Sequence, residues 1–256
     1  MASGYSASLV KPVVPELAAE TADIETASEN YARRFAGSAG EWMLSVQEQI
    51  VMEWLGPLRG ATVLDVGGGH GQLALPLSRS GMKVTVLGSD ESCRGRIEKE
   101  VRSGSLNFVA GSVINLPFAD RCFEVAASLR LLPHCRAWPQ LIRELCRVAR
   151  RAVVVDYPAR YSVNLLAGRM FGLKRRVEEN TRPFTLFTRA EIGRAFDAAG
   201  FRVTQSRAQF FWPMVLHRML NRPGFSRALE AAPGVIGLTA LLGSPVLAWA
   251  EPKGER

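Results

Sequence analysis

The chain has 256 residues, of which 47% are hydrophobic and 22% charged. That excludes extensive disorder and suits one α/β domain with a sizeable core. The formal net charge is +8, and it is concentrated: between Ala159 and Leu229 thirteen Arg and Lys stand against four Asp and Glu, so the remainder sums to −1. Cys93, Cys122, Cys135 and Cys146 fall at irregular spacings without a C-x-x-C pair. They offer neither a disulfide framework nor a zinc site, so no metal is expected and a reducing cytoplasm fits.

Residues 1–30 are rich in Ala, Ser, Pro and Glu and show no period. They read as a flexible lead-in, without the basic start and apolar run of a secretory signal. From Tyr31 to Leu55 apolar residues recur at helical spacing (Phe35, Trp42, Met43, Val46, Ile50, Val51, Trp54), which predicts one or two helices. Strands and helices then alternate. Strands are expected at 61–66, 83–88, 106–110, 122–129 and 151–156, with helices at 73–80, 91–101 and 138–148. Such alternation implies right-handed crossovers and a parallel, doubly wound sheet. A capping box, Thr188 with Glu191, opens a helix that Gly200 ends, and a strand follows from Phe201. The stretch 231–250 is uncharged and long enough for a membrane span, but Pro233, Gly234, Gly237, Gly243 and Pro245 interrupt it. A short helix or loop and then a buried strand is the expectation.

The segment Val63-Leu-Asp-Val-Gly-Gly-Gly-His-Gly71 carries the chemistry. A strand entering Gly-x-Gly-x-Gly lets backbone turn sharply and approach a ligand, and the next helix offers free N–H groups. The third glycine, Gly71, follows Gly69 by two residues, so the dinucleotide fingerprint G-x-G-x-x-G is not met; Gln72 holds its last position. Asp65 would repel phosphate at the strand end and attract an ammonium group.

This segment resembles motif I of class I S-adenosylmethionine-dependent methyltransferases, closest to the small-molecule and quinone-type members. Further likenesses are Gly88-Ser-Asp90, Gly111-Ser112 with Leu116-Pro-Phe118 and Asp120-x-x-Phe123, Leu131-Leu-Pro-His134, Arg143-Glu-Leu-Cys-Arg-Val148, and Ala199-Gly-Phe201. Ser112 and Glu124 depart from the common Asp, and Ala149-Arg-Arg151 replaces the usual Pro-Gly-Gly turn.

The resemblance implies a Rossmann-like, mostly parallel seven-stranded sheet with helices on both faces and an N-terminal helical cap. It divides the chain into the lead-in 1–30 and a methyltransferase domain 31–256, with a substrate-side insertion at 157–187. It implies S-adenosyl-L-methionine as cofactor, contacted by Asp65, Gly67, Gly69, Gly71, Asp90, Ser112 and Tyr31, with His134 as the candidate general base.

The expected acceptor is a small or lipid-like molecule, an anionic one being among the candidates. The basic region 159–229, with Arg160, Lys174, Arg175, Arg176 and Arg182 among apolar residues, suggests such an acceptor or peripheral contact with an anionic membrane. Gln209-Phe-Phe-Trp-Pro-Met214 suits a flat or lipidic molecule. No RNA-binding motif accompanies the charge, so nucleic acid is not an expected partner. The alternative is a catalytically inactive, cofactor-binding partner subunit.

Overall fold

The β-branched runs of the first half build the sheet as the alternation predicts. The computed structural model describes residues 20–163 and 184–254. Seven strands form one sheet: β1 (Thr62–Val66), β2 (Lys83–Gly88), β3 (Asn107–Ala110), β4 (Phe123–Ser128), β5 (Ala149–Tyr157), β6 (Phe201–Ala208) and β7 (Val246–Pro252). Their order is β3-β2-β1-β4-β5-β7-β6. The first five run parallel, and β7 inserts antiparallel between β5 and β6.

The period-2 alternation of strands divides the core between two faces. Val63, Val84, Val125 and Val154 pack with Val51, Trp54 and Leu55 of α3 (Ser38–Leu55) and with Ala74 and Leu77 of α4 (Ala74–Arg79). Leu64, Leu87, Ala126 and Val153 pack with Leu141, Ile142 and Leu145 of α6 (Trp138–Val148) and with Phe196 of α7 (Arg189–Ala198). Both faces are covered, as a parallel sheet requires. The predicted capping box is present at α7: Thr188 Oγ1 accepts from Glu191 N, and Glu191 Oε2 accepts from Thr188 N at 2.7 Å.

Two expectations need correction, and a third is met in a particular form. The segment 91–101 is mostly a 3-10 helix over Glu91–Ile97, with only a short α5 (Glu98–Arg102) behind it; Gly95 sits in its middle and weakens an α-helix there. The helical run from Tyr31, expected as one or two helices, is two: α2 (Glu29–Ala32) and α3, joined by a 3-10 turn at Arg33–Phe35. The lead-in does not extend to residue 30 as a structureless segment: α1 (Ala22–Thr26) and α2 fold onto the sheet's carboxyl edge, and Asp23 is fully buried.

At the other end, α8 (Met214–Leu220), α9 (Pro223–Val235) and α10 (Leu238–Leu242) precede β7. Among the described residues no helix is long and apolar enough to cross a membrane. Lys174, Arg175, Arg176 and Arg182 of the basic insertion, with Leu165, Leu166, Met170 and Phe171, lie outside the described residues.

Candidate cofactor site

At the carboxyl edge of β1 the chain turns through Gly67, whose φ of +76° is the left-handed region that a side chain would strain. A 3-10 turn (Gly68–His70) follows, and Gly71, with φ of +80°, leads toward α4. Gly69 tolerates no side chain: a Cβ there would overlap the Cys93 carbonyl oxygen. The turn is therefore built for close approach, and part of that closeness is spent on the 3-10 segment after β2.

Asp65 is 2% exposed, and its Oδ2 is buried without a hydrogen-bond partner among the described residues. Burial pushes its carboxyl up to about 7, against a smaller opposing pull from the Arg130 guanidinium. A buried carboxylate oxygen with no donor is costly in a folded chain and marks a place where a ligand can supply one.

Sequence reading missed Arg130. It lies two residues beyond β4 with φ of +62°. Its backbone N–H donates to Asp156 Oδ1 at 2.5 Å, and Asp156 Oδ2 accepts from Gln47 Nε2 at 2.7 Å. A carboxylate from β5 and an amide from α3 thus hold this strained turn. The guanidinium carbon sits 5.4 Å from the Phe35 ring centroid and 5.9 Å from that of Tyr31.

Tyr31, a predicted cofactor contact, is buried and packs edge-on to His70 at 6.4 Å. Burial pushes its hydroxyl above the ordinary tyrosine range. The His70 ring is pulled down to about 3, first by burial and then by Arg130 and Arg96, so it is neutral. Its two nitrogens have no partner among the described residues. Its ring packs against those of Tyr31 and Phe35.

A second group missed by the sequence is Asp23. Its carboxylate accepts from Ser89 N and Ser89 Oγ, each at 2.5 Å, and from Cys93 Sγ at 3.4 Å. Its Cβ would lie 3.5 Å from a Cβ on Gly67, and the Ala27 methyl 3.0 Å from one on Gly69. Helix α1 therefore covers the glycine turn. What remains open is a cavity of about 10 Å³ lined by Asp65, Gly67, Gly68, Gln72, Leu73, Leu129 and Arg130.

The other predicted residues are placed differently. Asp90 is exposed, and its Oδ1 caps the following 3-10 helix by accepting from Ser92 N at 2.8 Å. Ser112 is exposed and its Oγ accepts from Ile114 N at 3.3 Å. His134 ends a 3-10 turn after β4, half-buried, 5.5 Å from the Phe184 ring. His217 is fully buried in α8, where its Nε2 meets Glu230 Oε1 at 2.9 Å and its ring packs on Trp42. Phe210 is likewise buried against Trp42. Arg147 and Asp120 of the later motifs build the loop before β4 and do not line the cavity.

The unpartnered Asp65 oxygen and a turn open to close approach fit the ammonium-bearing end of S-adenosylmethionine. With α1 in place the remaining cavity holds nothing larger than a water molecule.

Comparison with known proteins agrees with this geometry. Residues 64–155 match the methyltransferase domain family. A 2-phytyl-1,4-naphtoquinone methyltransferase of Nostoc punctiforme is 30% identical over 122 residues, covering 44% of this chain and 53% of that protein. A ubiquinone/menaquinone biosynthesis C-methyltransferase of Dinoroseobacter shibae is 31% identical over 121 residues, 44% of this chain and 48% of its own. The chain thus spans about half the length of these curated relatives. Among solved structures, magnesium protoporphyrin IX methyltransferase from Synechocystis superposes with a TM-score of 0.63 at 16% identity, over 89% of this chain and 96% of the other. Residues 64–155 thus match the methyltransferase domain family, and the seven-stranded sheet is the Rossmann-like fold shared with that solved structure.

Proposed function

We propose that the protein transfers a methyl group from S-adenosylmethionine to a small, flat, lipid-like acceptor of the quinone or porphyrin kind. The observation that carries the cofactor half of this reading is the buried, unpartnered Asp65 Oδ2 beside the left-handed Gly67 turn. The names of the relatives support the acceptor half.

The bound sulfonium supplies the electrophilic methyl group. The chain's own residues bind and align: Asp65 takes the ammonium, Gly67, Gly69 and Gly71 admit the cofactor backbone to backbone, and Tyr31 closes over it. Asp90 and Ser112, at the carboxyl edges of β2 and β3, serve the nucleoside end once α1 has withdrawn. Holding donor and acceptor in line in a dry site is worth about 7–11 kcal/mol of barrier. His134, at the same edge beyond β4, takes the acceptor proton, a contribution of about 10²–10⁴-fold.

Calorimetry with S-adenosylmethionine and its demethylated product tests the first half: absence of binding to both sinks it. Transfer of labelled methyl to quinol, phenol and porphyrin carboxylate acceptors tests the second, and His134→Ala should lower turnover while leaving cofactor affinity unchanged.

The same reading extends to a membrane surface. Val235 at the end of α9, Ile236 just after it and Leu241 on α10 are 88%, 69% and 70% exposed, and Met219 and Phe225 lie nearby in sequence on α8 and α9. Arg218, Arg222 and Arg227 are exposed on the same helices, while Glu230 turns inward to accept from Phe211 N and Trp212 N. Apolar side chains among exposed arginines suit an anionic bilayer that carries a lipidic acceptor. Co-sedimentation with phosphatidylglycerol vesicles, lost in Ile236→Asp/Leu241→Asp, supports this; equal binding to phosphatidylcholine vesicles speaks against it.

One observation favours the inactive partner subunit: α1 covers the glycine turn, and the cavity beside Asp65 is only about 10 Å³. Absence of methyl transfer to any acceptor despite cofactor binding would select that reading.

A further inference from the structure

We propose that Arg130 is the specificity residue for the α-carboxylate of the cofactor's amino-acid end, so that the site demands a complete zwitterion. This rests on the cofactor reading above and assigns a role that the glycine motif does not contain.

Arg130 is half-buried as a residue, yet its Nε and Nη1 are shut away from solvent with no hydrogen-bond partner among the described residues. Buried guanidinium donors without acceptors are rare, because the desolvation is not repaid. They do not point at random. Arg130 and Asp65 line the same small cavity as Gly67 and Gly68, at the adjacent carboxyl ends of β4 and β1. Gln72 lines it too: its Nε2 donates to the Leu44 carbonyl at 3.1 Å, and its Oε1 is left unpartnered. The residues that line the void thus carry unpartnered donors on Arg130 and unpartnered acceptors on Asp65 and Gln72. Once α1 has withdrawn and the void has widened, an α-ammonium takes the Asp65 and Gln72 oxygens, and an α-carboxylate takes the Arg130 N–H groups.

The aim of the side chain is fixed from behind. The left-handed backbone at Arg130 is held by Asp156, itself held by Gln47, and the guanidinium is packed beside the Tyr31 and Phe35 rings. Such a preformed donor loses little freedom when an anion arrives. The competing role, a counter-charge for two buried carboxylates, accounts for the location of Arg130. It does not account for its unused N–H groups.

The test compares two ligands: S-adenosylhomocysteine and its decarboxylated counterpart, which keeps the amine and the nucleoside. Calorimetry on the wild-type chain is expected to show the decarboxylated ligand binding at least about tenfold more weakly, the size expected of a lost charge-assisted contact. In Arg130→Met the affinity for S-adenosylhomocysteine should fall by a similar factor, and that for the decarboxylated ligand should hold within about twofold. Arg130→Lys should restore part of the discrimination, since it keeps the charge without the fork. Thermal melts report whether the variants fold; if Arg130→Met does not, the wild-type pair and Arg130→Lys still decide. Wild-type discrimination below about twofold, or a parallel loss for both ligands in the variants, overturns the assignment of Arg130 alone. No binding of either ligand by the wild type overturns the cofactor reading and the assignment with it.

Discussion

The two ends of β4 are each guarded by an arginine, and the two are used in opposite ways. Before the strand, Arg147 of α6 spends every nitrogen: Nε and Nη2 on Glu144 at 2.8 and 2.7 Å, Nη1 on Asp120 and the Phe118 carbonyl at 2.8 Å, Nη2 also on the Leu116 carbonyl at 2.9 Å. Glu144 in turn accepts from Leu116 N. After the strand, Nε and Nη1 of Arg130 are buried with no hydrogen-bond partner among the described residues. Saturated polar groups mark architecture, whereas unsaturated ones gathered round a void mark a site. Conspicuous motif residues such as Arg143-Glu-Leu-Cys-Arg-Val148 thus belong to the scaffold at one end, and an inconspicuous arginine belongs to the chemistry at the other.

Breaking the saturated end should cost most in stability. Arg147→Met strands the nearly buried Glu144 and frees the 116–120 loop, for a loss of about 2–4 kcal/mol by urea unfolding; solvent contact of Arg147 and exposure of Asp120 keep it below the ~3–5 kcal/mol of a fully buried pair. Cofactor affinity of the folded fraction should be unchanged. A large drop in affinity with little loss of stability would erase the contrast.

At the unsaturated end the sign reverses. Asp65→Ala should weaken S-adenosylhomocysteine binding by about 100-fold, in line with loss of a buried charge-assisted partner, while leaving the melting temperature equal or higher. The pH dependence sharpens this. With the Asp65 carboxyl raised from 3.8 to about 7, the folded chain keeps a proton that the unfolded chain releases, so this group lowers stability as pH rises through that window. Ammonium binding favours the ionised form, so affinity should rise up to about tenfold per pH unit below 7 and level off above it. Asp65→Asn should flatten both profiles. A wild-type affinity independent of pH between 5 and 7 would contradict the assignment.

The smallest effect is expected at the cover. Asp23→Ala releases Ser89 and Cys93 from their carboxylate and should raise cofactor affinity severalfold, read by the same calorimetry. A loss of affinity would instead make Asp23 a cofactor ligand in its own right.

The sheet was legible because strand and helix periodicities are local, and Trp138–Val148 and the Thr188–Glu191 cap fall where the residues place them. The glycine turn was legible for the same reason. Asp23 was not, because its partner lies 66 residues away and its helix has only five residues. Arg130, set between leucines, reads as a solvent-facing charge; only its left-handed backbone and Asp156, contributed by another strand, turn it inward. Asp90 is named by the resemblance alone, and its Oδ1 also caps the following 3-10 segment by accepting from Ser92 N.

Helix α1 also bears on kinetics. A cofactor that can enter only after Asp23 leaves Ser89 must wait for that opening, so the observed association rate should rise with ligand concentration and then reach a plateau set by the opening step. The measured dissociation constant is then the intrinsic one divided by the open fraction. Tethering α1 to the 3-10 segment behind β2, or loosening it, would change the affinity without touching a single atom that contacts the cofactor.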